Sequence, residues 1–157
     1  MELPVIKRGI KMIAMLTSED VIKWWDLIKE GVRKTLPTFA KDAPVILSNV
    51  LEAILARNLY CWCIYEVVNG EPKTYGFFLT QDIENYAIGT KGCIIISLHT
   101  VRFLEDNLWV EFIQDLRKSL KSLGYNYILA WSGIKRIVEM SAKAGANVEN
   151  VLMFTEV

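Results

Sequence analysis

Residues 93–116, CIIISLHTVRFLEDNLWVEFIQDL, contain an unbroken apolar run that is followed within a few residues by a helical repeat. The run CIIISLHT has the pattern of a central strand that is buried on both faces. In the segment after it, Leu108, Phe112 and Leu116 recur at helical spacing and form one apolar stripe. A buried strand that leads directly into an amphipathic helix predicts an α/β fold in which helices pack on a sheet.

The first part of the chain predicts one strand and two helices. Residues 9–16 are compact and apolar, as in a strand. Residues 17–36 carry a helical apolar stripe, and Thr17 or Ser18 is the predicted N-cap. Pro44 begins a second predicted helix, because proline is favoured in a first helical turn.

The second part predicts a hairpin and then alternating strands and helices. Segments 59–68 and 73–86 are rich in aromatic and β-branched residues and flank the turn sequence NGEP, so they form a predicted antiparallel hairpin. The helix after the central strand ends at Gly124. Three further elements are predicted as strand, helix and terminal strand: YNYILAWS, GIKRIVEMSAKAG and NVENVLMFTEV.

This order predicts a single α/β domain over residues 1–157, with a mixed sheet and helices on both faces. The hairpin requires antiparallel pairing in the first half of the sheet. The two strand–helix–strand passages in the second half favour locally parallel pairing.

The charge balance limits the partners that the chain can attract. Eighteen Lys and Arg residues cancel eighteen Asp and Glu residues, so no long-range field draws in nucleic acid or an anionic membrane. No apolar run approaches the ~20 residues that cross a bilayer, and the charged, proline-containing N-terminus does not resemble a secretory signal. We therefore expect neither a nucleic-acid nor a membrane partner.

The three cysteines, Cys61, Cys63 and Cys93, predict reduced core thiols. Cys61 and Cys63 share one face of a predicted strand and are poorly placed for a mutual disulfide. With a single histidine in the chain and no second cysteine pair, the sequence predicts no metal site. Reduced thiols favour a reducing compartment, and we expect a cytoplasmic protein.

The order of elements resembles the GNAT superfamily of acyl-CoA N-acyltransferases. The resemblance covers most of the chain and is carried by element order and hydrophobic pattern. It implies a mostly antiparallel central sheet with helices on both faces, acetyl-CoA as the acyl donor, and transfer of the acyl group to the amine of a small molecule or a protein. Three segments carry it: IKMIAMLTSEDVIKWWDLIKEGV; CIIISLHTV with LWVEFIQDLRKSLKSLGY; and AWSGIKRIVEMSAKAGANVENVLMF.

The resemblance also implies a position for acetyl-CoA, between the fourth and fifth strands where these splay apart. The backbone of Leu98, Thr100 and Val101 would then pair with the pantetheine arm. The family uses a loop of the form Q/R-x-x-G-x-G/A for the pyrophosphate, whereas this chain has RFLEDNLW. Arg102 is the residue in this loop that can still face a phosphate.

Candidate catalytic residues follow from the same comparison. His99 lies at the exit of the fourth strand and is the predicted base, since imidazole accepts a proton near neutral pH. Asp82 and Glu84, near the end of the third strand, are alternative titratable groups. Ser141 stands where the family often has the tyrosine that protonates the leaving thiolate.

Two hypotheses on function remain open. The first is an acyl-CoA-dependent N-acyltransferase with an atypical phosphate site. The second is a catalytically inactive GNAT-fold protein that serves as a binding or structural module. In the second case, the terminal strand or the aromatic residues would form a surface for a protein partner or a second copy of the chain; the tryptophans are Trp24, Trp25, Trp62, Trp109 and Trp131.

Overall fold

The computed structural model describes residues 12–36, 45–132 and 134–149. Within these ranges the elements follow the predicted order. They are β1 (Met12–Met15), α1 (Ser18–Thr35), α2 (Leu47–Leu55), β2 (Tyr60–Val68), β3 (Glu71–Asn85), β4 (Thr90–Thr100), α3 (Asp106–Ser122), β5 (Tyr127–Leu129) and α4 (Lys135–Lys143). The predicted terminal strand lies mostly outside the described residues, as does Pro44.

The strands form one sheet in the order β1-β2-β3-β4-β5. The first three pairings are antiparallel, and β4 pairs with β5 in parallel. The predicted hairpin is the β2–β3 pair, and the strand–helix–strand passage through α3 produces the parallel pair, as expected from a crossover connection. The mixed, mostly antiparallel sheet is therefore confirmed.

Two hydrophobic cores lie on opposite faces of the sheet. Adjacent residues of one strand point to opposite faces, so Cys63 and Phe77 pack in the core with α1 and α2, whereas Ile64 and Phe78 pack in the core with α3. Helices on both faces are thus confirmed. Of the stripe predicted on α3, Phe112 and Leu116 are buried and Leu108 is half-buried; Trp109 and Leu120 are buried beside them.

Two of the tryptophans fill the core. Trp62 is 3% exposed and Trp109 is 6% exposed. The Trp62 indole stacks on Phe78 with ring centroids 5.7 Å apart, and Phe112 meets the Phe78 ring edge-on at 5.5 Å. Trp62 and Trp109 accordingly stabilise the interior and contribute little to the surface.

Local sequence signals determine where the helices begin and end. Thr17 is the N-cap of α1: its hydroxyl accepts a hydrogen bond from the Asp20 amide at 3.2 Å, and the Asp20 carboxylate accepts one from the Thr17 amide at 3.3 Å. This reciprocal capping box pairs two amides that would otherwise lack a partner. Gly124 and Gly145 follow α3 and α4 with φ of 86° and 95°, a conformation that favours glycine.

All three cysteines are free and buried. Burial raises the pKa of the Cys61 thiol to about 12, and raises those of Cys63 and Cys93 to about 11. Burial disfavours a thiolate, so these side chains behave as small apolar core residues. Among the described residues, no helix has the length and hydrophobicity that crossing a bilayer requires.

Candidate functional site

The β4 and β5 strands separate after a short paired stretch. They pair only where Gly92–Ile94 faces Tyr127–Leu129, and β4 then continues to Thr100. Gly92 permits this pairing because a Cβ there would lie 2.1 Å from the Tyr127 ring. Within the described ranges, no strand covers the β5 side of β4 beyond Ile94, and the sheet has a gap at this edge.

A β-bulge in β4 lies at the start of the gap. Leu79 of β3 pairs with Ser97, but the next residue, Thr80, pairs with Ile95. Ile96 is therefore an extra residue on β4. Bulges bend the strand that contains them and increase its twist, which accounts for β4 turning away from β5 here.

The peptide groups of Leu98 and Thr100 face this gap. The Val101 amide donates to the Tyr75 carbonyl at 2.8 Å, in register with the pairs Gly76–Thr100, Phe77–His99 and Phe78–Leu98. Antiparallel pairs alternate between hydrogen-bonded and non-hydrogen-bonded. Val101 and His99 consequently bond to β3, whereas the amides and carbonyls of Leu98 and Thr100 point away from β3.

A cleft of about 210 Å³ lies beside this open edge. Its walls come from β4, the β4–α3 loop, α3 and α4. Phe103 of the loop is 74% exposed at the cleft, whereas Trp109 forms a buried wall. The lining residues are Leu98, His99, Thr100, Phe103, Leu104, Trp109, Ile134, Arg136 and Ile137.

His99 borders this cleft and also contacts α1. A Cβ on Gly31 would lie 2.6 Å from the His99 Cβ and 2.7 Å from its Cγ, so the absence of a side chain at Gly31 makes room for the imidazole. On the α1 side, His99 lines a small cavity of about 10 Å³ together with Gly31 and Ser97. Glycine inside a helix lowers stability by ~1 kcal/mol relative to alanine. The close approach of the imidazole explains why α1 nevertheless has glycine at position 31.

The Val101 amide and the Arg102 side chain bond to β3, whereas the peptide groups of Leu98 and Thr100 face the gap. The Arg102 guanidinium lies 4.2 Å from the centroid of the Tyr75 ring, and its Nε donates to the Thr74 carbonyl at 3.1 Å. Its Nη1 lies 3.5 Å from the Glu66 carboxylate. Arg102 is thus held against β2 and β3, outside the lining of the cleft.

The other candidate catalytic residues proposed from the sequence lie apart from His99. The Asp82 carboxylate accepts a hydrogen bond from the Tyr125 hydroxyl at 2.5 Å and lies 3.3 Å from the Lys91 ammonium. Asp82 and Glu84 pair with the beginning of β4, at the end of the sheet where β5 is still attached. Ser141 lies near the end of α4 and is not part of the cleft lining.

Arg136 is a cleft residue that the sequence analysis did not identify. Its Nε donates to the Asp106 carboxylate at 2.7 Å, and its Nη2 donates to the Leu104 carbonyl. The guanidinium lies 4.7 Å from the centroid of the Phe103 ring. These contacts join the first turn of α4 to the first turn of α3, across 30 residues of sequence.

The start of α3 carries an acidic residue that is already paired. Glu105 is the N-cap, but its side chain makes no capping hydrogen bond. Asp106 occupies the first turn, and its carboxylate is bound by Arg136. At the end of the cleft nearest α3, the lining residue Arg136 is thus in direct contact with the Asp106 carboxylate.

Comparisons with known proteins were made at the level of sequence and of structure. No protein-family model and no curated protein matches the sequence. In structure, the chain is similar to glucosamine-6-phosphate N-acetyltransferase from Arabidopsis thaliana, with a TM-score of 0.60 and 14% identity, covering 94% of this chain and 98% of that one.

Two further structures are similar over comparable lengths. One is an aminoglycoside acetyltransferase from an uncultured soil metagenomic sample, with a TM-score of 0.67 and 14% identity, covering 94% of this chain and 95% of the other. The second is a GNAT family acetyltransferase from Staphylococcus aureus, with a TM-score of 0.60 and 14% identity, covering 94% of this chain and 98% of the other. The element order, the sheet and these similarities agree: the chain has the fold of the GNAT acetyltransferases.

Proposed function

We propose that this protein is an N-acyltransferase that moves an acetyl or related acyl group from a CoA thioester to an amine. One observation carries the proposal: β4 leaves β5 after Ile94, and the peptide groups of Leu98 and Thr100, which pair with no other described strand, then border a cleft. Pantetheine contains two amides, and an extended amide-bearing chain can pair with an open strand edge as an added strand would. The fold is one that the acetyltransferases above share.

His99 is the proposed base. It borders the cleft and is also held by α1 through Gly31, so it can meet an acceptor that enters from the α1 face of the sheet. As the amine nitrogen bonds to the thioester carbon and the carbon–sulfur bond breaks, the nitrogen loses one proton to the imidazole. A thiolate is a good enough leaving group to depart without prior protonation, and it then takes a proton from solvent.

The acceptor is an amine on a small molecule or on a protein. Among the described residues that line the cleft, Arg136 carries a full positive charge and is paired with Asp106, so a cationic acceptor would meet little net repulsion from it. We also propose a cytoplasmic location, since three free buried cysteines favour a reducing compartment.

A second candidate function is a non-catalytic GNAT-fold binding module, and the β4–α3 loop is the observation that favours it. The bulky residues Phe103 and Leu104 stand in this loop, where glycines would let backbone amides approach a phosphate closely. Asp106 adds an anion at the same end of the cleft. A protein of this second kind would have no use for CoA.

Calorimetric titration with acetyl-CoA, followed by a thiol-release assay with a panel of amines, separates the two functions. The enzyme requires acetyl-CoA binding in the micromolar range, and His99→Ala should lower transfer at least tenfold while leaving acetyl-CoA affinity within about twofold. Glu139→Ala is the control, because Glu139 is an exposed residue of α4 outside the cleft lining. An absence of heat at millimolar acetyl-CoA would leave the binding module as the surviving function.

A further inference from the structure

Arg136 has a position and a set of contacts suited to binding an anion. It lines the cleft at the first turn of α3, and two of its nitrogens already bind oxygen atoms, one of the Asp106 carboxylate and one of the Leu104 carbonyl. A guanidinium presents its donors in a planar fork that matches a carboxylate or a phosphate. The Phe103 ring lies against the guanidinium and restricts its orientation.

We propose that Arg136 binds the diphosphate of CoA in this protein, and that Asp106 is an internal anion that the diphosphate must displace. This inference rests on the proposed function, because it assumes that CoA occupies the cleft. Arg136 would replace the glycine-rich loop by a side chain from α4. The Asp106 carboxylate marks the place of the phosphate oxygens, since both anions need the same donors.

The Arg136–Asp106 pair is weak enough to be exchanged. The two side chains are 39% and 59% exposed, and ion pairs at such sites are worth little because water screens them. A diphosphate carries more charge than one carboxylate and can accept the Nε donor that Asp106 now accepts, while Nη2 remains on the Leu104 carbonyl. Exchange of Asp106 for diphosphate at Arg136 is therefore favourable, but the affinity is lowered by the competition.

A second observation indicates that the cleft receives a polar ligand. Trp109 lines the cleft, and its indole Nε1 is buried with no hydrogen-bond partner among the residues that the structure describes. Buried indole N–H groups normally have a partner, and an unpaired one is costly. Ligand binding that makes Nε1 accessible from the cleft would let an acceptor atom of the ligand supply this partner.

Two ligands and two pairs of variants test this assignment by calorimetry. Coenzyme A contains the diphosphate and pantetheine does not. Arg136→Ala should weaken CoA binding by about tenfold or more, as expected for loss of charge-assisted hydrogen bonds. Asp106→Asn should strengthen CoA binding by up to about fivefold, the value of a weak exposed pair. Neither change should alter pantetheine binding by more than about twofold.

The matched controls are Lys135→Ala and Glu139→Gln. These neighbouring residues of α4 form an exposed ion pair with 3.7 Å between charged atoms, outside the cleft lining, and each control changes the net charge as its counterpart does. Both should leave CoA binding unchanged. If Arg136→Ala unfolds the protein, Arg136→Lys keeps the charge without the fork and should still weaken CoA binding more than Lys135→Ala does.

The possible failures are distinguishable. If CoA binds and Arg136→Ala behaves as Lys135→Ala does, the assignment of Arg136 is overturned and the proposed function stands. If CoA and pantetheine weaken equally in Arg136→Ala, the effect is structural and the assignment is again overturned. If the unmodified protein binds neither ligand, the proposed function fails together with this inference.

Discussion

Replacing Gly31 by alanine tests the contact that holds His99 beside the cleft. An added Cβ would lie 2.6, 2.7 and 2.8 Å from His99 Cβ, Cγ and Cδ2. Real Cβ atoms do not approach other carbon atoms this closely, so either His99 or α1 must shift. At an ordinary helix interior, glycine to alanine would stabilise the protein by ~1 kcal/mol.

The crowding reverses the sign of that effect. Overpacking in a filled interior costs ~1–3 kcal/mol, which exceeds or equals the gain in helix propensity. We expect Gly31→Ala to lower the free energy of unfolding by up to about 2 kcal/mol, or the melting temperature by ~4–8 °C for a chain of this size. Displacement of the imidazole should also lower acyl transfer at least tenfold.

The assay is chemical denaturation of four proteins: the unmodified chain, Gly31→Ala, His99→Gly and the double variant. Because His99→Gly removes the atoms that the new Cβ would meet, the double variant should be more stable than the sum of the single changes predicts, by ~1 kcal/mol or more. Asp26→Ala, on an exposed part of α1, is the control and should change stability by less than ~0.5 kcal/mol. A rise in melting temperature for Gly31→Ala would refute the contact.

Two further predictions concern the core. Phe112→Ala should lower the free energy of unfolding by ~3–5 kcal/mol, because Phe112 is buried. Phe103→Ala, at an exposed site, should lower it by less than ~1 kcal/mol. Urea denaturation measures both changes. Because burial raises the pKa of Cys61 to about 12 and that of Cys93 to about 11, above the value of 9.0 expected for exposed thiols, the native protein should resist thiol alkylation at pH 8. Thiols in the unfolded chain ionise at lower pH than the buried ones, so the cysteines should make the free energy of unfolding fall as pH rises from 9 towards 11. Cys93→Ala should make this fall less steep. Rapid alkylation of the native protein, or an unchanged pH dependence in Cys93→Ala, would contradict the pKa shifts.

Elements with a strong local signal were predictable from the sequence. The apolar stripe of α3 at Phe112 and Leu116, the hairpin around NGEP and the helix ends at Gly124 and Gly145 each depend on residues close together in the chain. Their spacing and turn chemistry are sufficient to predict them. The parallel β4–β5 pair followed from the strand–helix–strand passage through α3.

Features of the site that depend on distant residues were not predictable in this way. The bulge at Ile96 arises from the register between β3 and β4, and nothing in IIISLHT marks the extra residue. The Arg136–Asp106 contact spans 30 residues. The contact between Gly31 and His99 was not predicted either: a glycine within a helical stripe can mark a close approach, but nothing local identifies His99, which lies far away in sequence.

The central claim is that the open edge of β4 binds the amide-bearing arm of CoA. Amide hydrogen exchange, measured by NMR with and without CoA, tests it at single residues. We predict that the Leu98 and Thr100 amides, which face the gap, exchange fast in the free protein and at least tenfold more slowly with saturating CoA. The His99 amide, which faces β3, should be protected in both states. Unchanged exchange at Leu98 and Thr100 under saturating CoA would contradict the claim.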